Sequence, residues 1–325
     1  MTAQWSTTRG ESVPAPRRRS GPIMQLRIWY RKNNRLGDLS TAIICLLPAV
    51  VILGLFSIYP IVASGYLSLV KWDGLSAERP FVWFDNYRRL WNDGILGNSI
   101  RVTLVYAAGV TLGSMAIGLG IALLLNKAIR GLALYRVIFF LPVVTATVAV
   151  AVVWKLLLDP GSGYVNVLLR DIGVTAPSWL RDPTWALPAV MIVGVWKRMG
   201  FTMVVYLGAL QAVPRDLQEA AEVDGAGKFA VFRNITLPLL APTTLMLGIM
   251  GIIDAFLVFD QIFILTNGGP IGKTDVLGLV LYRTAFSYFD LGGAAAVGWV
   301  MFALLAGTSL VQWRFYGSGT KEVGT

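Results

Sequence analysis

The chain has 325 residues, of which 55% are hydrophobic and only 14% are charged. Soluble globular domains contain about 25% charged residues, so this composition excludes an ordinary cytosolic enzyme and indicates a polytopic membrane protein. The chain has no histidine and one cysteine, Cys45, which excludes Ser-His-Asp triads, His-based metal centres and internal disulfides. No metal site is expected. The formal net charge of +10 is expected to orient the chain in a membrane, not to bind nucleic acid.

The order of polar and apolar runs predicts an all-α membrane protein. Residues 1–38 are polar and include three consecutive arginines, which predicts a largely disordered basic tail whose role stays open. Residues 39–315 contain six apolar runs long enough to cross a bilayer as helices. The predicted spans cover residues 41–70, 99–125, 137–158, 185–212, 235–265 and 291–313. A short polar tail, residues 316–325, ends the chain.

The distribution of lysine and arginine predicts the orientation. Six spans place both termini on one side, and that side carries 16 basic residues, eight of them in the N-terminal tail. The opposite side carries 10, and the remaining two, Lys197 and Arg198, lie within the fourth run. Because basic loops stay in the cytoplasm, both termini are predicted to be cytoplasmic, in a cell membrane.

Small residues within the second run predict close helix packing. Gly109 and Gly113, followed by Ala116 and Gly120, repeat at intervals that let another helix approach. This pattern concerns packing and indicates no function.

The segment Pro214–Pro242 lies between two apolar runs and is unusually rich in charge. Its charged residues are Arg215, Asp216, Glu219, Glu222, Asp224, Lys228 and Arg233. Pro214 suits a helix start, and the carboxylates that follow it favour the helix dipole. Gly225 stands where the helix should stop with left-handed backbone. The segment 214–235 is therefore predicted to form a helix, a glycine turn and a second short helix across the cytoplasmic face.

One face of the first predicted helix is apolar and could dock into a groove. Its residues are Leu217, Ala220, Ala221 and Val223.

This segment resembles the EAA loop of ABC importer permeases. The resemblance lies in Glu219-Ala220-Ala221, Asp224-Gly225-Ala226, Phe232, Leu237-Pro238 and Pro242. In that family the loop is a coupling helix that inserts into a cleft of the ATPase subunit. The resemblance implies ATPase-coupling roles for Glu219, Ala220, Ala221, Glu222, Asp224, Gly225, Ala226 and Phe232, and implies the type I importer fold.

Other stretches resemble the carbohydrate branch of the family, the maltose and glycerol-phosphate permeases, over roughly residues 47–313. These stretches are Phe84-Asp85-Asn86-Tyr87, Val195-Trp196-Lys197, Leu210 to Pro214, and Phe259-Asp260 through Gly268-Gly269-Pro270 to Thr274. The family often has isoleucine before the proline where this chain has Val213. The resemblance implies a sugar or sugar-like solute, and it implies that Gly268, Gly269 and Pro270 face an external binding protein. Sugar, oligosaccharide and glycerol phosphodiester remain open as substrates.

Gly268 to Thr274 reads GGPIGKT and superficially suggests a phosphate-binding loop. That loop needs G-x-x-x-x-G-K-[ST], and the first glycine of the pattern would fall on Asn267. The stretch also follows a membrane span, not a strand. No cofactor is therefore expected in this chain, and ATP with magnesium is expected on a partner ATPase. The chain itself is expected to be non-catalytic.

Charged residues within spans are costly and need a reason. Lys197 and Asp254 are expected at similar depth, where they could form a structural ion pair or face a polar substrate cavity. Arg198, Asp260 and Gln261 are expected nearby, and Trp154 and Trp196 could stack on a sugar. These seven residues are the predicted substrate pathway.

The resemblance also implies an assembly and a mechanism. The expected partners are a second homologous permease, two cytoplasmic ATPases, an external binding protein and membrane lipid, with no nucleic acid. ATP-driven closure of the ATPases would switch the cavity by alternating access. The rival functions are an ion-coupled secondary transporter, which predicts inverted repeats and mid-membrane carboxylates, and a membrane enzyme, which needs a catalytic cluster at one interface.

Overall fold

The computed structural model describes residues 35–127 and 131–317. The chain divides into two compact units, Met1–Val62 and Ala63–Thr325. Within the described ranges the regular structure is helical, apart from one isolated bridge between Val70 and Phe81. The predicted all-α fold is therefore confirmed.

The helices are defined here in chain order. They are α1 (Arg35–Leu53), α2 (Tyr59–Ser68), α3 (Asp85–Asn92), α4 (Ile95–Leu125), α5 (Leu132–Val144), α6 (Thr147–Leu157), α7 (Tyr164–Asp171), α8 (Ala186–Gln211), α9 (Arg215–Val223), α10 (Lys228–Val231), α11 (Leu237–Leu239), α12 (Ala241–Phe256), α13 (Asp260–Leu265), α14 (Leu277–Tyr282) and α15 (Leu291–Gly317). Three π-helical turns, Gly54–Ile58, Phe232–Thr236 and Arg283–Ser287, continue the helices that precede them.

Four of the described helical stretches are long and apolar enough to cross a membrane as single rods. They are Ile43–Ser68, Ile95–Leu125, Ala186–Gln211 and Leu291–Arg314. Two further stretches are bent pairs, and counting each pair as one span gives six. The six-span architecture agrees with the sequence, whereas the shapes of the third and fifth spans do not.

The third span was expected as one helix over 137–158, but it consists of α5 and α6 bent by 96°. Pro142 removes a backbone donor near the end of α5, and Thr145 then adopts extended backbone. The Thr145 hydroxyl donates to the carbonyl of Pro142 at 2.7 Å. The break is therefore built into the local sequence.

The fifth span was expected over 235–265, and this prediction was wrong at both ends. Lys228–Leu239 and Ala241–Phe256 meet at a bend of 62° beside Pro238 and Pro242. Residues 257–259 then leave the helix, and α13 begins separately at Asp260. The apolar run was continuous in sequence, so composition alone could not show this interruption.

The predicted tails lie almost wholly outside the described residues. At their inner edges the structure differs from the prediction, since residues 35–38 already belong to α1 and residues 316–317 still belong to α15.

The packing of α4 against α8 forms the centre of the second unit. A Cβ atom on Gly109 would lie 1.9 Å from Met191 Cε, and one on Gly113 would lie 2.9 Å from Val195 Cγ2. The Thr202 hydroxyl, on α8, donates to the carbonyl of Ser114 at 2.7 Å. The small residues of α4 thus permit close approach at these two glycines, and the hydrogen bond fixes the register of the two helices.

Candidate functional sites: an exposed capped helix and a charged membrane cavity

The sharply ended helix α9 carries Glu219, Ala220, Ala221 and Glu222 of the EAA-like motif, and Asp224, Gly225 and Ala226 follow directly after it. Pro214 precedes it with extended backbone, one position earlier than the first turn. Asp216 lies in the first turn, where a carboxylate is favourable beside the exposed N–H groups.

Gly225 ends α9 in a Schellman motif. The Ala226 N–H donates to the carbonyl of Ala221 at 2.9 Å, and the Gly225 N–H donates to that of Glu222 at 3.1 Å. Gly225 has φ of +86°, which glycine adopts without the steric penalty of a side chain. No heavy atom of the described residues lies within 4 Å of a Cβ placed there. The backbone geometry, not crowding within the chain, requires glycine.

The surface around α9 is exposed and partly apolar. Glu219, Ala220, Glu222, Asp224 and Gly225 are exposed, whereas Ala221, Ala226 and Phe232 are half-buried.

Three large apolar side chains in this region are also exposed, namely Leu217, Val223 and Phe229, the last two by 87% and 74%. Sequence reasoning included Leu217 and Val223 in an apolar face but missed Phe229. Its position after Gly227 and Lys228, at the start of α10, was the available signal. Apolar groups this exposed, flanked by carboxylates, are typical of a surface that a protein partner covers.

A second site is a cavity of about 520 Å³ between α4, α5, α6, α8 and α12. Its charged or amide side chains are Lys197, Arg198, Asp254, Asp260 and Gln261. The Thr147 hydroxyl also lines it, and most of the other lining groups are apolar or aromatic, including Tyr106, Val110, Phe201, Met250 and Phe259. The structure therefore brings together five of the seven residues of the predicted substrate pathway.

The structure does not pair Lys197 with Asp254, which was one of the two alternatives that the sequence left open. Lys197 Nζ donates to the Thr147 hydroxyl and, at 3.4 Å, to the Thr145 carbonyl. Asp254 pairs instead with the neighbouring Arg198. Adjacent residues on a helix point about 100° apart, so the sequence could not show whether Lys197 or Arg198 faces Asp254.

The guanidinium of Arg198 is incompletely hydrogen-bonded. Its side chain is 12% exposed, whereas that of Asp254 is 62% exposed. One nitrogen contacts Asp254, and among the described residues Nε and Nη2 have no hydrogen-bond partner. A buried donor without a partner loses about 1–3 kcal/mol of solvation, and this guanidinium lines the cavity, where a solute or water could supply one.

Gln261 and Asp260 occupy different positions in the cavity wall. The Gln261 amide donates to the carbonyl of Val190 at 2.8 Å and is buried. Asp260 begins α13 and is exposed. Gln261 is therefore held in place, while the Asp260 carboxylate is open to a solute.

Trp154 and Trp196 do not line this cavity. Their rings pack edge to face, with centroids 5.5 Å apart, and they lie against the hydrophobic core. The structure gives them a packing role in place of the predicted sugar stacking.

The loop between α13 and α14 contains Gly268, Gly269 and Pro270. The Thr274 hydroxyl, which would bind magnesium in a phosphate-binding loop, is buried and donates to the Gly269 carbonyl at 2.7 Å. A Cβ atom on Gly268 would lie 1.8 Å from Asp275 Oδ1, so only glycine fits there. The conformation of the loop is thus stabilised by polar contacts among its own residues.

Asp275 and Arg283 hold the base of this loop. Arg283 Nη1 donates to Asp275 Oδ1 at 2.9 Å, and the same guanidinium contacts the Asn267 carbonyl. Burial raises the pKa of Asp275 above its ordinary value of 3.8, although Arg283 acts in the opposite direction. The folded chain therefore retains this proton to higher pH than the unfolded chain.

The raised pKa of Asp275 gives a pH-dependent prediction. Since the folded state binds more protons in this window, the contribution of Asp275 to stability falls as pH rises from 3.8 through the folded pKa. An Asp275→Asn variant should lack this component, and its thermal unfolding temperature should fall less over that range than that of the wild type. If the unfolding temperature changed equally with pH in the wild type and the variant, the raised pKa of Asp275 would be contradicted.

Comparison with known proteins gives the family. The model of the binding-protein-dependent transport system inner membrane component matches residues 109–314. The chain belongs to this family of membrane permeases. The permease is 34% identical to the probable ABC transporter permease protein YurN of Bacillus subtilis (strain 168), over 85% of this chain and 96% of that protein.

Two further relatives carry substrate names. The permease is 35% identical to the trehalose/maltose transport system permease protein MalF of Thermococcus litoralis, over 82% of this chain and 90% of that protein. It is 32% identical to the sn-glycerol-3-phosphate transport system permease protein UgpA of Pectobacterium atrosepticum, over 84% and 92% respectively.

Among solved structures, the permease resembles a chain of a bacterial ABC transporter that imports the acidic polysaccharide alginate. The TM-score is 0.72 at 26% identity, covering 92% of this permease and 100% of that chain. A related structure holds the alginate transporter with its periplasmic protein, with a TM-score of 0.73 at 25% identity. The importer-permease fold implied by the sequence is confirmed.

Proposed function

We propose that the permease is one of two pore-forming subunits of an ATP-driven importer for a sugar or sugar-like solute. The observation that carries the proposal is α9, a capped helix that exposes the EAA-like motif together with Leu217 and Val223. Such a surface suits docking into a groove of a partner protein. The named relatives and the alginate transporter support a carbohydrate-like solute.

In this proposal the chain does no chemistry itself. Two cytoplasmic ATPases bind ATP and magnesium, close, and move α9 together with its counterpart on the second permease. Both termini and α9 lie in the cytoplasm, in keeping with the excess of basic residues on that side. An external binding protein delivers solute near the loop containing Gly268, Gly269 and Pro270.

The solute passes through the cavity beside α8 and α12. Lys197 and Asp260 supply a cationic and an anionic group, and Asp254 is exposed enough to exchange Arg198 for a solute hydroxyl. This balance of charge suits a polyhydroxylated solute. A glycerol-phosphate or phosphodiester solute is the second candidate, because Lys197 and Arg198 both line the cavity and a glycerol-3-phosphate permease is a relative.

Co-purification tests the assembly. When an affinity-tagged permease is expressed with its neighbouring transport genes, we expect an ATPase and a second permease to be retained in detergent. ATP hydrolysis by this complex in liposomes should rise when binding protein loaded with solute is added. A permease that purifies alone yet accumulates solute along a proton or sodium gradient would instead support a secondary transporter.

A further inference from the structure

A second cavity, of about 410 Å³, lies where membrane helices meet the start of α9. Its lining residues are Leu125, Asn126, Lys127, Leu132, Leu210, Gln211, Val213, Arg215 and Gln218. These residues come from the end of α4, the beginning of α5, the end of α8 and the first turns of α9. The cavity is therefore separate from the charged membrane cavity described above.

The polar groups of this cavity suit an anion. Lys127 and Arg215 supply two positive charges, and Asn126, Gln211 and Gln218 add carboxamide donors. The residues that line it include no carboxylate. Among the described residues, no ion pair involves either cation. The oxygens of a phosphate group could accept hydrogen bonds from both cations and from the amides.

The position of the cavity corresponds to the headgroup level of a bilayer. Two membrane-spanning helices, α4 and α8, end at it, and the bent third span begins there. Leu124 of α4 and Leu134 of α5, close in sequence to the lining residues Leu125 and Leu132, are exposed by 65% and 63%. Exposed apolar side chains and nearby cations are the two features that a phospholipid needs, for its acyl chains and its phosphate respectively.

We propose that this cavity binds the phosphate of an anionic phospholipid headgroup. Because Arg215 is the first residue of α9, the bound lipid would fix the start of that helix to the membrane surface. The site goes beyond the proposed function, and it rests on that proposal only for the leaflet, which is the cytoplasmic one.

Native mass spectrometry of the assembled importer tests the site. The detergent-solubilised complex is titrated with phosphatidylglycerol, with phosphatidylcholine and inorganic phosphate as separate probes. Lys127→Gln or Arg215→Gln should weaken phosphatidylglycerol binding about 5-fold each and the double variant about 30-fold, from the usual contribution of a basic residue near an anionic lipid. The exposed Lys228, on the same segment but outside the cavity, gives the matched control Lys228→Gln, which should bind as the wild type does.

Three results would overturn the site. Unchanged phosphatidylglycerol affinity in the double variant would leave the cations only the role of neutralising the C-terminal dipoles of α4 and α8. Equal occupancy by inorganic phosphate would assign the cavity to a free anion. Loss of the ATPase with retention of the lipid would place the cations in the ATPase interface. A wild-type permease that binds the lipid but retains no ATPase would contradict the proposed function and leave this site standing.

Discussion

Replacing Gly225 by valine is expected to reduce ATP-driven uptake by about tenfold or more, with membrane insertion unchanged. A residue with a side chain loses roughly 1–2 kcal/mol in left-handed backbone, and a β-branched residue loses more. Since 1.4 kcal/mol is a factor of ten in an equilibrium, the turn that closes α9 would be populated far less. Uptake in proteoliposomes, with ATPase retention recorded in parallel, measures the effect.

The control for this prediction is Gly225→Asn, because asparagine tolerates left-handed backbone. No atom of the described chain lies within 4 Å of a Cβ at this position, so both variants avoid an internal clash. Retained uptake in the asparagine variant and lost uptake in the valine variant would identify the backbone turn as the requirement. Wild-type uptake by Gly225→Val, with the ATPase bound normally, would contradict a coupling role for this turn.

Asp254→Ala is expected to destabilise the complex more than Arg198→Met. Removal of Asp254 leaves a guanidinium that is 12% exposed and has two further buried nitrogens without a hydrogen-bond partner among the described residues. Leaving one partner of a fully buried pair uncompensated costs about 3–5 kcal/mol. Because Asp254 is itself 62% exposed, the loss of stability here should be smaller than that. Removal of Arg198 leaves the Asp254 carboxylate, which is 62% exposed, so Arg198→Met should lower the stability of the complex less.

Thermal unfolding of the assembled complex in detergent measures this asymmetry. The double variant Arg198→Met/Asp254→Ala should be more stable than Asp254→Ala alone, because it also removes the guanidinium that Asp254→Ala leaves without its carboxylate partner. If Arg198→Met lowered the unfolding temperature more than Asp254→Ala, the description of a buried guanidinium paired with an exposed carboxylate would be contradicted. Solute uptake by the variants tests the cavity separately. If Lys197→Ala and Asp254→Ala both transported solute at the wild-type rate, this cavity would be excluded as the solute path.

The sequence supplied the number of spans and the family because these depend on run length and on motif residues at fixed spacing. It also located the turn at Gly225, where local backbone chemistry dictates the residue. The bend between α5 and α6 was missed although Pro142 was visible, because a proline within a span does not by itself give an angle. The break after Phe256 is marked in the sequence only by the polar pair Asp260-Gln261, which follows it.

The cavity was predicted less well than α9 because it depends on which face each side chain occupies. Lys197 and Arg198 are adjacent in sequence, and only the packing of α8 against α6 and α12 decides that Lys197 reaches Thr147 while Arg198 reaches Asp254. Trp154 and Trp196 were chosen for their chemistry, and the structure packs them together. Tertiary geometry of this kind cannot be read from spacing within single helices.

Site-directed crosslinking from α9 tests the coupling proposal most directly. Cys45 is the only cysteine, so Cys45→Ser gives a background into which Val223→Cys, at a position 87% exposed, can be introduced. Trp83→Cys, 67% exposed on the opposite side of the membrane in the proposed orientation, is the control. We predict that residue 223 crosslinks to the ATPase, with a yield that changes on ATP binding, and that residue 83 does not. A crosslink from residue 83 and none from residue 223 would contradict the account.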